Sequence, residues 1–336
     1  MKTRKTSIVV LMSLLLITFY SCGDDDNGGS GSNLTGNWVE RSVFNEEPRS
    51  SATAFTIGNR GYMGTGYDGD DYLGDFWTYD IASNSWQQLA DFPGVERSSA
   101  VSFVIGNQGY IGTGYDGESN QELSDFFRYD VASNTWSQIA DFGGTARYGA
   151  VGFNSDSRGY VGTGFDGNGD KKDFYRYDPN TDTWEEVFGF GGGKRRDGAT
   201  FTIGSDVYLV TGVSNGIYEE DFWVFDTTTE TWSQLEDINE DTNAFIIRAN
   251  AVAFTLNGLG YVATGETGAT VGTVWEYNPA TQNWTERTQF ERLARRDAIA
   301  ISNGEKAFVA LGRNGTLYFD DNMEFFPTEE QNDDDN

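Results

Sequence analysis

Arg97-Ser98-Ser99-Ala100-Val101-Ser102-Phe103-Val104-Ile105-Gly106-Asn107-Gln108-Gly109-Tyr110-Ile111-Gly112-Thr113-Gly114 contains two short strands and the turn between them. Its apolar residues recur with period two, not 3.6, so they line one face of a pleated strand rather than a helix stripe. Asp125-Phe126-Phe127-Arg128-Tyr129 and Thr135-Trp136-Ser137-Gln138-Ile139 supply a third and a fourth strand. Gly, Asn and Asp separate the four, as turns with positive φ require. Outside the first 20 residues no convincing amphipathic helix is present.

This unit recurs six times. The copies begin at Arg49, Arg97, Arg147, Arg196, Arg248 and Arg296, in steps of 48, 50, 49, 52 and 48 residues. Sixteen or seventeen residues after each arginine stands a glycine: Gly66, Gly114, Gly164, Gly212, Gly265 and Gly312. An aromatic follows (Tyr79, Tyr129, Tyr177, Phe225, Tyr277, Phe325), and seven residues beyond the first five of these comes Trp86, Trp136, Trp184, Trp232 or Trp284. The sixth copy has Asn332 at that position. Its missing tryptophan lies at the other end of the chain, at Trp38, eleven residues before Arg49. A ring explains this displacement better than an open array capped by Trp38.

Four short strands per unit of 45–50 residues make a propeller blade. The first strand of each unit is rich in small residues, as in Ser98-Ser99-Ala100 and Ala249-Asn250-Ala251, which suits an innermost strand crowded around one axis. The tryptophan falls on the outermost strand. Asn37-Trp38-Val39-Glu40-Arg41 is an outermost strand without a blade, and the last repeat ends after three strands near Met323–Pro327. Pairing the two completes blade six and removes two exposed edges. The expected fold is therefore all-β, a six-bladed propeller closed by the N-terminal strand.

The order of small-residue strand, glycine-ended strand, aromatic and tryptophan resembles the Kelch repeat over residues 37–327. The double glycine of that family is replaced here by Gly64-Thr65-Gly66, Gly112-Thr113-Gly114 and Gly162-Thr163-Gly164, and blades four to six keep one glycine. The resemblance implies a Kelch-type β-propeller of the galactose-oxidase-like fold.

Residues 1–21 have the form of a targeting segment. Lys2, Arg4 and Lys5 precede an apolar run, Ile8–Tyr20, that is too short to span a bilayer. The run ends at Ser21-Cys22, and Cys22 is the only cysteine. This resembles a bacterial lipoprotein signal in which Cys22 becomes the lipidated (palmitate-bearing) first residue, although Phe19 and Tyr20 depart from the usual residues. A secretory peptide cut elsewhere is the alternative. The Asp24-Asp25-Asp26 run resembles the surface-export signal of Bacteroidetes-type lipoproteins, and equally suits a solvated linker. Residues 22–36 then form a flexible acidic tether and 328–336 a disordered acidic tail. The expected location is the outer membrane or cell surface, with the chain lipid-anchored and monomeric.

The chain carries 23 Lys and Arg against 52 Asp and Glu, a net charge of −29. Such a surface argues against nucleic acid, whose phosphates demand cations. With no histidine and one cysteine, Ser-His and Cys-His nucleophiles, His-ligated zinc and the copper site of galactose oxidase are all excluded. No cofactor is implied.

Two repeated features remain. The six arginines Arg49, Arg97, Arg147, Arg196, Arg248 and Arg296 are expected around one channel mouth, either as carboxylate-binding forks or as ties to a neighbouring blade. The loops after the second strands carry Tyr67-Asp68-Gly69, Tyr115-Asp116-Gly117 and Phe165-Asp166-Gly167. In the last of them Asp166, Asn168 and Asp170 alternate as in the first ligands of a calcium loop, but Lys171 follows where glycine belongs. The expected function is a non-enzymatic binding module for a protein or glycan. A carbohydrate mutarotase or epimerase of sialic-acid type using the arginine mouth, and a structural envelope scaffold, are the alternatives.

Overall fold

Each repeat pairs its strands in chain order as an antiparallel meander. In the second, Val101–Ile105, Gln108–Gly112, Phe126–Asp130 and Thr135–Ile139 lie side by side, with Phe103 opposite Tyr110 and Tyr129 opposite Trp136. The computed structural model describes residues 34–238, 246–332 and 334, which contain six such four-stranded sheets. The expected leader, Cys22 and most of the tether lie outside the described residues.

Five sheets are built from one repeat each. The sixth takes Ile299–Ser302, Ala307–Ala310 and Asn322–Phe326 from the last repeat and Asn37–Glu40 from the start. The closing strand runs antiparallel to Asn322–Phe326, with Trp38 opposite Phe325. Trp38 is fully buried and stacks on Phe325 at 4.5 Å. The expected six-bladed ring, sealed by the N-terminal strand, is what forms. The seal reaches further than its four residues. Thr288 donates to the carbonyls of Leu34 and Thr35, the Gly36 N–H to Glu329 O at 2.8 Å, and the Asn332 N–H to Asn37 Oδ1 at 2.8 Å. The stretch 328–336, expected as a loose tail, thus begins with residues fixed against the seal.

The blades interlock by a large-on-small rule. The innermost strand of one blade sends an aromatic ring onto a glycine of the next blade's second strand: Phe55 onto Gly109, Phe103 onto Gly159, Phe201 onto Gly260. A Cβ on Gly109 would lie 2.0 Å from Phe55 Cζ. Each outer tryptophan covers the gap to the preceding blade. Trp184, for example, sits 5.0 Å from Phe126 and donates its indole N–H to Ala140 O at 3.1 Å. The innermost strands face the channel with small side chains at one shared position: Ala54, Ser102, Gly152, Thr200, Ala253 and Ala300.

Candidate functional site

The arginines that open the repeats do not share one environment. Arg49, Arg97, Arg147 and Arg248 are fully buried, and the residues equivalent to them in blades four and six are Arg195 and Arg295, not Arg196 and Arg296. All six buried guanidiniums bond the carbonyl sixteen residues on, as Arg97 Nη1 does to Thr113 O at 2.9 Å. Five grip the aspartate that precedes the third strand: Asp75, Asp125, Asp173, Asp221 or Asp321. In blade five Thr273 takes that place, its hydroxyl 2.7 Å from Arg248. Each of those five arginines also lies over an aromatic of the linker, such as Phe92 at 4.9 Å from Arg97. Of the two roles expected for the six arginines, Arg49, Arg97, Arg147 and Arg248 take that of a tie, made within their own blade rather than to a neighbouring one. A guanidinium has five donors, and the second-strand carbonyl, the linker carbonyl and the aspartate together occupy them inside the blade. The signal that separates the doublets is the step to the second glycine, which is 17 residues from all six buried arginines.

Two residues beyond each buried arginine the chain turns at the axis. Ser51, Ser99, Gly149, Asp197, Asn250 and Asp297 all have left-handed backbones, with φ between 51° and 62°. The N–H of each donates to the carbonyl of the preceding one, at 2.8–3.1 Å, and Ser51 donates to Asp297, so six bonds close a ring around the throat. The ring is uneven in chemistry. Blades one to three contribute two serines and a glycine, while blades four to six contribute two aspartates and an asparagine.

Above this second half stand the remaining two candidates. Arg196 reaches Asp170 at 2.7 Å, and its Nε lies 3.4 Å from Asp197. Arg296 reaches Glu266 at 2.5 Å, and its Nε lies 3.5 Å from Asp297, which Arg313 also meets at 3.0 Å. Both keep about a quarter of the side chain exposed, 27% for Arg196 and 26% for Arg296, against nothing for Arg195 and Arg295. Burial and then the neighbouring Asp297 charge push the Asp197 carboxyl up to about 7, against the opposing pull of Arg196. Burial likewise raises Asp297, which Arg313 and Arg296 partly offset.

The first half of the mouth is aromatic. The residue after the second glycine is Tyr67, Tyr115 and Phe165 in blades one to three, but Val213, Glu266 and Arg313 in blades four to six. With Tyr318, Tyr72 and Tyr148 these rings form a continuous arc. Centroids are separated by 6.1 Å (Tyr318–Tyr67), 4.8 Å (Tyr67–Tyr72), 6.3 Å (Tyr72–Tyr115), 5.5 Å (Tyr115–Tyr148) and 5.5 Å (Tyr148–Phe165). Arg196 closes the series, 5.4 Å above Phe165. The Asp-Gly turns make room for it. Tyr72 lies across Gly117, where a Cβ would fall 2.0 Å from its ring, and Tyr318 lies across Gly69. The sequence analysis weighed these loops for the spacing of their acidic residues alone and missed the arc.

The KLHDC2/KLHL20/DRC7 Kelch-repeats domain matches residues 33–151 and again 144–312. The chain belongs to the Kelch-repeat family. Among solved structures this Kelch propeller is similar to one described as "Structure of YjhT", at a TM-score of 0.73 and 17% identity, over 84% of this chain and 96% of that one. No curated protein matches it.

In the Kelch propeller the calcium-loop candidates Asp166, Asn168 and Asp170 are engaged within the protein. Asp166 caps its own turn by accepting from the Asn168 and Gly169 N–H groups, and pairs with Lys171 at 2.5 Å. Asp170 is spent on Arg196 and the Asn215 N–H. Among the described residues no group of three or more His, Cys, Asp or Glu could hold a metal, and a copper-oxidase site has no ligands here.

Proposed function

We propose that this Kelch propeller is a non-enzymatic binding module that takes a glycan or protein ligand at the arginine–tyrosine mouth, and that a lipid on Cys22 anchors it at the outer membrane or cell surface. The observation that carries the binding reading is where the repeat breaks its symmetry. Buried arginines, glycines and tryptophans recur blade after blade, whereas the mouth carries an aromatic arc running from Tyr318 of blade six across blades one to three, and the ion pairs of Arg196, Arg296 and Arg313 around the rest. Structural needs repeat with the blades. A surface that departs from them at one end has a reason outside the fold. The test is an array of glycans and peptides read with the wild-type protein and with Arg296→Ala. Binding that the substitution weakens supports the reading. An empty array retires it.

The anchor rests on the basic start, the short apolar run and the lone Cys22. Labelled palmitate should enter the wild-type protein and not Cys22→Ser; label retained by the variant would refute it.

A carbohydrate mutarotase or epimerase of sialic-acid type is the second reading. Asp197 favours it: a carboxyl that titrates near 7 beside a guanidinium can take and return a proton at neutral pH. Anomer exchange followed by NMR, lost in Asp197→Asn, would establish it.

A further inference from the structure

The aromatic arc and the state of the charges around it narrow the ligand further. Aromatic faces in a mouth offer area to a flat apolar surface. Three chemistries present one: nucleobases, aromatic or methylated side chains, and the C–H faces of sugar rings. Nucleobases come with phosphates, and a chain of net charge −29 repels them. Acidic peptides meet the same field. The two mouth arginines do not stand free to receive them either, because Arg196 and Arg296 are already held by Asp170 and Glu266 at 2.7 and 2.5 Å. The same ion pairs are well suited to hydroxyls. Carboxylate oxygens accept from O–H groups, and the guanidinium N–H groups left over donate to them.

The rings are held in place before any ligand arrives. Tyr67 donates to Gly69 O at 2.6 Å and Tyr115 to Asn120 Oδ1 at 3.2 Å, and Tyr72 and Tyr318 rest on glycines of the next blade. Binding therefore does not have to order these rings, whatever the ligand. With centre-to-centre steps of 4.8 and 6.3 Å and rings tilted at 40° and 61° to one another, the arc sets faces and edges in turn along a strip longer than one small ring.

We infer that the arc binds a neutral oligosaccharide, with two or more of its pyranose rings stacked on Tyr67, Tyr72, Tyr115 and Tyr148 and its hydroxyls bonded by the Asp170–Arg196 and Glu266–Arg296 pairs. The inference rests on the reading of the mouth as a binding site and names the ligand class for it.

The experiment uses the full-length protein and three sets of immobilised probes: neutral oligosaccharides of glucose, galactose, mannose and xylose; sialylated and uronic-acid oligosaccharides; and peptides, acidic, aromatic-rich and methyl-lysine-bearing. The expected result is binding to one or more neutral probes, insensitive to salt, and weakened about tenfold or more in Tyr115→Ala and Tyr148→Ala. Urea midpoints of the variants show that they remain folded. A second pair, Tyr115→Phe and Tyr148→Phe, should retain binding, because it keeps the ring face. Binding confined to the anionic or peptide probes overturns the inference while leaving the binding module intact. So does neutral-glycan binding that the alanine variants do not change. Silence on all three sets overturns both.

Discussion

An arginine is worth what its partners make it. Arg97 and Arg296 are one repeat class by sequence and two classes in space. Arg97→Ala would leave Asp125 and the Thr113 carbonyl facing a void, so a loss of about 2–4 kcal/mol in urea unfolding is expected. Arg97→Lys should recover only part of it, since an ammonium cannot span the carboxylate fork. Arg296→Ala breaks a pair open to solvent, and a loss of about 1 kcal/mol or less is expected. Equal losses would mean that the doublets have been assigned the wrong way round. The doublets show why the sequence alone was ambiguous: Arg195-Arg196 and Arg295-Arg296 offer two side chains for one buried position. Residue type cannot choose between them, and only the constant 17-residue step does.

Asp197 gives the residue scale its pH dependence. The folded carboxyl titrates near 7, and an unfolded one near ~4. Between those values the native state holds a proton that the unfolded chain has released. Stability should therefore fall as pH rises from ~4 to ~7, and remain lower above that. Asp197→Asn removes the charge. It should be more stable than the wild type by roughly 2–4 kcal/mol at pH 8, and nearly indistinguishable at pH 4. Denaturant midpoints at the two pH values check both sign and window.

At the scale of the strand, blades join by rings seated on glycines. Gly109→Ala brings a Cβ into Phe55 and should cost about 1–3 kcal/mol. Combined with Phe55→Leu it should cost less than the sum of the two, which a double-mutant cycle measures directly. The closing strand is the other element-level test. Deleting Asn37–Phe44 removes Trp38 and Phe44 from the core and uncovers the edge of Asn322–Phe326. A lower melting temperature and oligomers on size exclusion are expected, and an unchanged monomer would contradict the seal. These elements were readable beforehand because alternation, turn residues and the displaced tryptophan are local marks. The aromatic arc was not. It assembles from loops of four blades, and no one loop contains enough of it to stand out from an acidic turn.

On the scale of the whole molecule, the throat bonds and the interblade glycine bonds make two closed circuits. The second runs from the N–H of the glycine that follows each blade's second strand to the carbonyl of the next blade's buried arginine, as from Gly66 to Arg97 and from Gly312 to Arg49, at 2.7–2.8 Å. A blade therefore cannot tilt without straining its neighbours. The mouth is a rigid frame into which the loops set their side chains, and its asymmetry is one of side chains on a nearly uniform backbone.

That frame also has a direction. In every blade the third strand starts beside the mouth loops and ends at the turn to the outermost strand, five residues and roughly 17 Å away in the sixth. Asn37 and Phe326 pair at that far end. The closing strand thus begins at the end of the sixth sheet that is turned away from the mouth loops, and Asn332 is bonded to Asn37 there. A tag attached downstream of Asn332 therefore starts far from the arc, and a sensor chip coated through it should report the same affinity for any ligand of the mouth as protein free in solution.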